Sequence, residues 1–81
     1  MSIKVLFFAS LAEAAGTREL ILEPASLTDL NSVFEKCAKE RPLLESHRAS
    51  VLFALNSEFA RPDSPVRDGD EIAFFPPVSG G

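Results

Sequence analysis

The sequence predicts one α+β domain, in which a mixed sheet of four to five strands carries one main helix across one face. Three observations lead to this class. A chain of 81 residues suffices for a single domain. Short apolar segments end at turn-forming residues, which is typical of strands. Only residues 26–40 repeat their apolar positions at a sustained helical spacing, and one helix covers one face of a small sheet.

The N-terminal elements are two strands separated by a helical turn. Residues Ile3–Phe8 are apolar on both sides of a strand, which favours a central position in the sheet. Residues Ser10–Ala15 are predicted to form a short helical turn, with Gly16 as its C-terminal cap. A second strand, Arg18–Leu22, is expected to run antiparallel to the first and to end before Pro24.

The main helix is predicted over Ser26–Glu40. Ser26 is a typical N-cap residue, and the acidic Asp29 suits the positive end of a helix dipole. Arg41-Pro42 stops the helix, because proline disfavours helical backbone in the residue before it. The apolar stripe of this helix consists of Leu27, Leu30, Val33, Phe34, Cys37 and Ala38.

Two more strands follow, joined by a turn. Residues Val51–Leu55 form the third strand, Asn56-Ser57 the turn, and Glu58–Arg61 a fourth strand that ends at Pro62.

The last strand, Glu71–Phe75, follows the tight-turn signal "RDGDE". Both the first and the last strand are almost continuously apolar, as central strands buried on both faces usually are. We therefore predict that these two strands are parallel neighbours at the centre of the sheet.

One face of this sheet has more apolar side chains than a solvated face should have. If Ile3, Val5 and Phe74 point to the helix, then Leu6 and Phe75 point away from it. An exposed apolar patch of this kind usually marks a protein interface. The residues predicted to bind a partner on this face are Leu6, Phe8, Leu52, Phe59 and Phe75. The alternative is that residues 41–50 fold back and cover the face.

Composition limits the classes of partner and reaction. The net charge of −4 argues against binding to nucleic acid or to anionic membranes. No signal peptide and no long apolar run is visible, so we expect a cytoplasmic protein.

Cys37 belongs to the apolar stripe and is expected to be a buried core residue. His47 is expected to be a solvent-facing loop residue.

The end of the sequence predicts an extended tail over residues 76–81, after a domain of residues 1–75. Pro76 and Pro77 favour a stiff extended path, and Val78 offers an apolar contact. All three are predicted to bind the partner, in addition to the side chains of the sheet face. Gly80 and Gly81 allow the backbone to lie in a narrow channel. A terminal carboxylate must be activated before it acts as an acyl donor, typically as an acyl adenylate made from ATP. The sequence contains no phosphate-binding loop, so the activation must come from another protein.

Three segments carry a family resemblance. "IKVLFFASLAEAAGT", the "ALN" at residues 54–56 and "RDGDEIAFFPPVSGG" closely resemble the small subunits of molybdopterin synthase, which are ubiquitin-like sulfur carriers. The resemblance covers nearly the whole chain and implies a β-grasp fold. It also implies that an E1-like adenylyltransferase activates Gly81 with ATP and that a sulfur donor converts the glycine to a thiocarboxylate. No cofactor is expected on the carrier itself.

The resemblance further implies a partner and a reaction. The tail, with Gly80 before the acceptor Gly81, would enter the large synthase subunit, in a heterotetramer of two large and two small subunits. There the sulfur would pass to cyclic pyranopterin monophosphate during molybdenum cofactor biosynthesis. The apolar contacts would fall on Phe8, Phe59 and Phe75.

The chain departs from the family at the first helical turn, and two other functions stay open. Many family members carry an arginine where this chain has Ser10 or Ala12, so the resemblance does not carry over a charged contact to the activating enzyme from that position. A sulfur carrier for thiamine synthesis or tRNA thiolation would use the same tail chemistry. A ubiquitin-like interaction module that is never activated would need the apolar face alone.

Overall fold

The computed structural model describes residues 2–77, which contain five strands and three helices. The strands are β1 (Ile3–Phe7), β2 (Glu19–Leu22), β3 (Leu52–Leu55), β4 (Glu58–Ala60) and β5 (Glu71–Phe75). The helices are α1 (Ser10–Ala15), α2 (Leu30–Glu40) and a 3₁₀ helix (Pro42–His47). Each strand boundary lies within one residue of the prediction, and the α+β class is confirmed.

The five strands form one mixed sheet in the order β2-β1-β5-β3-β4. Strands β1 and β5 are parallel neighbours at its centre, with Val5 opposite Ile72 and Phe7 opposite Phe74. The remaining neighbours are antiparallel. The predicted central pair is therefore confirmed.

The core lies between this sheet and α2, with Phe74 at its centre. The Phe74 side chain is fully buried. Its ring meets those of Phe7, Phe34 and Phe53 edge-on, at centroid distances of 5.6, 5.4 and 5.2 Å. Edge-to-face contacts of this kind add to the stabilisation that apolar burial provides.

Helix α2 begins at Leu30, so the predicted start at Ser26 is wrong. The N-cap is Asp29, whose Oδ1 accepts a hydrogen bond from the Ser32 backbone N–H at 2.8 Å. The Ser32 hydroxyl accepts from the Asp29 N–H in return, which completes a capping box. Ser26 lies outside the helix with φ of 74°.

The first turn of α2 is also held by a distant loop. The N–H groups of Leu30 and Asn31 donate to the carbonyls of Ser64 and Pro62 at 3.0 and 2.9 Å. These N–H groups have no partner inside the helix. The loop after β4 thus satisfies them and fixes where the helix starts.

The β3–β4 turn is tied to the start of β5 by Asn56. Its backbone N–H donates to the Glu71 carbonyl at 2.7 Å, and its side-chain oxygen accepts from the Glu71 N–H at 2.9 Å. The side-chain amide also donates to an Asp70 carboxylate oxygen at 3.0 Å. Both turn residues, Asn56 and Ser57, have positive φ, 51° and 72°.

Ser57→Gly is expected to stabilise the domain by about 0.5–1 kcal/mol, because glycine adopts positive φ without a Cβ penalty. A thermal melt should show a rise of a few degrees. Asn56→Gly is the matched control, since it gives the same backbone relief but removes the side-chain bonds to β5. We expect this control to lose stability. Equal stabilisation by both variants would show that the Asn56 bonds contribute nothing.

Candidate functional site

The five predicted partner-binding side chains of the domain lie on the sheet face opposite α2. Strand alternation puts Leu6, Phe8 and Phe75 there, because their neighbours Phe7 and Phe74 are buried against the helix. The strand pairing places Leu52 opposite Phe75, and Ala54 opposite both Ala73 and Phe59. We call Leu6, Phe8, Leu52, Phe59 and Phe75 the sheet patch.

The sheet patch is open to solvent. Phe59 is 78% exposed and Phe8 is 49% exposed, while the other three side chains are half-buried. The Phe59 and Phe75 rings meet edge-on at 5.4 Å across strand β3, where the small Ala54 lies opposite Phe59. An aromatic pair that contacts its neighbours and still faces solvent is typical of a protein interface.

Polar residues bound the sheet patch at one end. Lys4 of β1 lies opposite Glu71 of β5, one row before Leu6 and Ala73. An apolar centre with a polar rim is the usual arrangement of a binding surface between proteins.

Residues 41–50 do not cover the sheet patch, so that alternative is excluded. The 3₁₀ helix contacts α1 and α2, on the opposite side of the molecule. Its Leu44 is fully buried, whereas Leu43 is 71% exposed. His47 is half-buried at the end of this helix, so its prediction as a solvent-facing loop residue is wrong.

Arg48 fastens this segment to α2. Its guanidinium forms ion pairs with Glu35 and Glu45, each at 2.6 Å, and lies 5.3 Å from the centroid of the Phe34 ring. The hydrogen bond from Arg48 lowers the pKa of the Glu45 carboxyl below its ordinary value. These contacts hold the segment on the helix side of the sheet.

The predicted tail leaves the sheet directly beside the sheet patch. The Phe8 N–H donates to the Phe74 carbonyl at 3.1 Å. The next bond of a parallel ladder would need an N–H at residue 76, and Pro76 has none. Pro76 is half-buried and Pro77 is exposed. The predicted tail residues Val78, Gly80 and Gly81 lie outside the described residues.

The Cys37 thiol is confirmed as a core residue. It is fully buried, and this burial, with a smaller contribution from the Glu40 carboxylate, raises its pKa to about 12. A thiol with so high a pKa is a poor nucleophile at neutral pH.

Within residues 2–77, no group of three or more His, Cys, Asp or Glu side chains is placed to hold a metal ion.

Comparison with known proteins identifies the family. The model of the ThiS family matches residues 5–81. The chain belongs to the ThiS family. A molybdopterin synthase sulfur carrier subunit from Chlamydomonas reinhardtii is 39% identical over 83 residues, which cover 100% of both chains.

Solved structures share the ubiquitin-like β-grasp fold that this ThiS family member adopts. The crystal structure of SAMP1 from Haloferax volcanii superposes with a TM-score of 0.86 at 30% identity and covers 100% of both chains. One chain of the protein-protein complex of subunits 1 and 2 of the molybdopterin-converting factor from Helicobacter pylori gives a TM-score of 0.68 at 26% identity, also over 100% of both chains.

None of the helices within residues 2–77 of this ThiS family member is long and apolar enough to cross a bilayer.

Two features next to the predicted site do not follow from the sequence. Asn56 was identified only as a turn residue, although its side chain ties the turn to β5. The "ALN" segment of the resemblance was the one signal that pointed to this position. A groove beside Phe8 was also missed, because it depends on how α1 lies against β1 and β2.

Proposed function

We propose that this chain is the sulfur carrier subunit of a molybdopterin synthase. The family match, which runs through residue 81, and the full-length similarity to a named sulfur carrier subunit support this role. The observation in the structure that supports it best is the placement of Phe75. Its side chain belongs to the open sheet patch, and its backbone leads directly into the tail.

In this proposal, the acceptor is the carboxylate of Gly81. An E1-like adenylyltransferase joins this carboxylate to AMP and releases pyrophosphate from ATP. A persulfide on the sulfur donor then attacks the acyl carbon and displaces AMP, which gives an acyl disulfide. A second thiol attacks the donor-side sulfur of this disulfide, so the thiocarboxylate leaves and the two thiols end as a disulfide. The carrier has no part in these steps except to present the tail and bind the enzyme.

The sheet patch is proposed to bind the large subunit of the synthase. Five exposed or half-buried apolar side chains provide a surface whose burial stabilises a complex. With the patch covered, the tail would enter the large subunit, and the thiocarboxylate would donate its sulfur to cyclic pyranopterin monophosphate. Two large and two small subunits in the cytoplasm complete the proposed assembly.

The test is to isolate the protein with an N-terminal tag from its own cell and to measure its intact mass. We expect a fraction in which one sulfur replaces one oxygen, together with a co-purifying large synthase subunit. Sulfur replacement together with thiamine or tRNA-thiolation enzymes would reassign the pathway. Absence of any sulfur gain under conditions of active cofactor synthesis would contradict the carrier role.

A further inference from the structure

A groove of about 670 Å³ lies beside the sheet patch, between the end of β1, helix α1 and the start of β2. It continues the sheet patch past the end of β1, because two patch residues also form part of its wall. The wall residues that matter here are Leu6, Phe8, Ala9, Ala12, Glu13 and Arg18.

The groove results from a sharp turn at Ala9. Its φ of 51° and ψ of −128° fall in a region that residues with a Cβ rarely adopt. This turn lets α1 fold back beside the end of β1 instead of continuing the strand. Ala12 then faces the groove with a single methyl group, which leaves the space open.

Polar groups at the rim are available for a partner. Glu13 and Arg18 are both exposed and line the groove. Neither Glu13 nor Arg18 forms an ion pair within residues 2–77. The groove therefore combines apolar walls with one charge of each sign at its rim.

Interface size indicates that a partner on the sheet patch extends further. A stable interface buries about 800 Å² on each protein and involves about 20–30 residues. The five side chains of the sheet patch are too few for this. The groove shares Leu6 and Phe8 with the patch, so a protein that lies across Phe8 and Phe75 also covers the groove.

We propose that the large subunit inserts an apolar side chain, of the size of leucine or phenylalanine, into this groove. The inference rests on the proposed function and adds to it a second contact between the carrier and the large subunit. The inserted side chain contacts Leu6, Phe8 and Ala12, and the charged side chains of Glu13 and Arg18 lie at the rim beside it.

Thiol labelling of Ala12→Cys tests this inference. Cys37 gives no background, because its thiol is buried and has a raised pKa. We expect N-phenylmaleimide to react with Ala12→Cys at least tenfold more slowly when the large subunit is saturating. Protein labelled beforehand should bind the large subunit at least tenfold more weakly, as expected when one apolar side chain loses its burial.

Ala25→Cys is the matched control. Ala25 is exposed in the loop after β2, at the end of the sheet away from the groove. This variant should react equally fast with and without the large subunit, and its labelled form should bind normally. Labelling after folding separates the effect on binding from any effect on folding.

Equal labelling rates for Ala12→Cys in the free carrier and in the complex would overturn the groove inference. Phe75→Asp, measured beside it, tells whether the proposed function fails as well. If Phe75→Asp weakens binding but the label at position 12 does not, the groove is not an anchor and the sheet patch still is. If neither change weakens binding, docking on the sheet patch is itself contradicted.

Discussion

Deletion of Gly81 is expected to abolish sulfur transfer while the melting temperature stays unchanged. Removing one residue shortens an extended tail by about 3.5 Å. Reacting atoms must approach within about 3–3.5 Å, and a misplacement of about 1 Å can cost a hundredfold in rate. The buried core is built from residues between Ile3 and Phe74, so stability should be retained. Intact mass after incubation with the activating enzyme, ATP and a sulfur donor measures the thiocarboxylate.

Two further tail variants serve as controls for this deletion. Gly81→Ala keeps the length and adds only a Cβ, so it should impair transfer less than the deletion. One residue added after Gly81 should inactivate the carrier, because the Gly81 carboxylate becomes an amide. Normal sulfuration and product formation by the deletion variant would refute Gly81 as the acceptor.

Phe75→Asp is expected to leave the domain folded and to weaken binding of the large subunit by about 2–4 kcal/mol, the scale of an aromatic hot spot. The Phe75 side chain faces away from α2, so the new carboxylate remains in contact with water. Its contact with Phe59 is lost, which reduces stability only slightly. Circular dichroism tests the fold, and calorimetric titration with the large subunit tests the affinity.

Phe74→Asp is the matched variant on the other face of the same strand. Phe74 is fully buried among three aromatic rings, so a carboxylate there loses its hydration and finds no partner. The cost of several kcal/mol is comparable to the whole stability of a small domain, and this variant should unfold. A folded Phe74→Asp beside an unfolded Phe75→Asp would show that the two faces are assigned the wrong way round.

The sheet was predictable because its signals are local. Strands β1 and β5 are apolar on both sides, which predicted their central position, and Asp-Gly and Asn-Ser marked the turns. The alternation along β5 also separated Phe74 in the core from Phe75 on the sheet patch. Each of these predictions needed only residues that are close together in the chain.

The start of α2 was not predictable in the same way. Both Ser26 and Asp29 are good N-cap residues, and sequence alone favoured the earlier one. The loop carbonyls of Pro62 and Ser64 determine that the helix begins after Asp29, because they accept hydrogen bonds from the first two N–H groups that follow it. Contacts between residues so far apart in the chain leave no local pattern.

The 3₁₀ helix and the groove could not be predicted from the sequence either. Leu43 and Leu44 are adjacent leucines, yet one is exposed and the other is fully buried, and no periodicity distinguishes them. The groove depends on the backbone turn at Ala9, a residue whose type gives no hint of positive φ. Such features follow from packing between elements and were therefore missed.

The central pairing of β1 with β5 has a consequence for how the chain folds. Lys4 pairs with Glu71, so the middle of the sheet forms only after nearly the whole chain has closed into a loop. Pairing at such sequence separation slows folding relative to local structure. Until β5 inserts, the rings of Phe7, Phe34 and Phe53 lack Phe74 between them and are exposed to other chains. A partly folded carrier is therefore prone to aggregate through the surface that becomes its core.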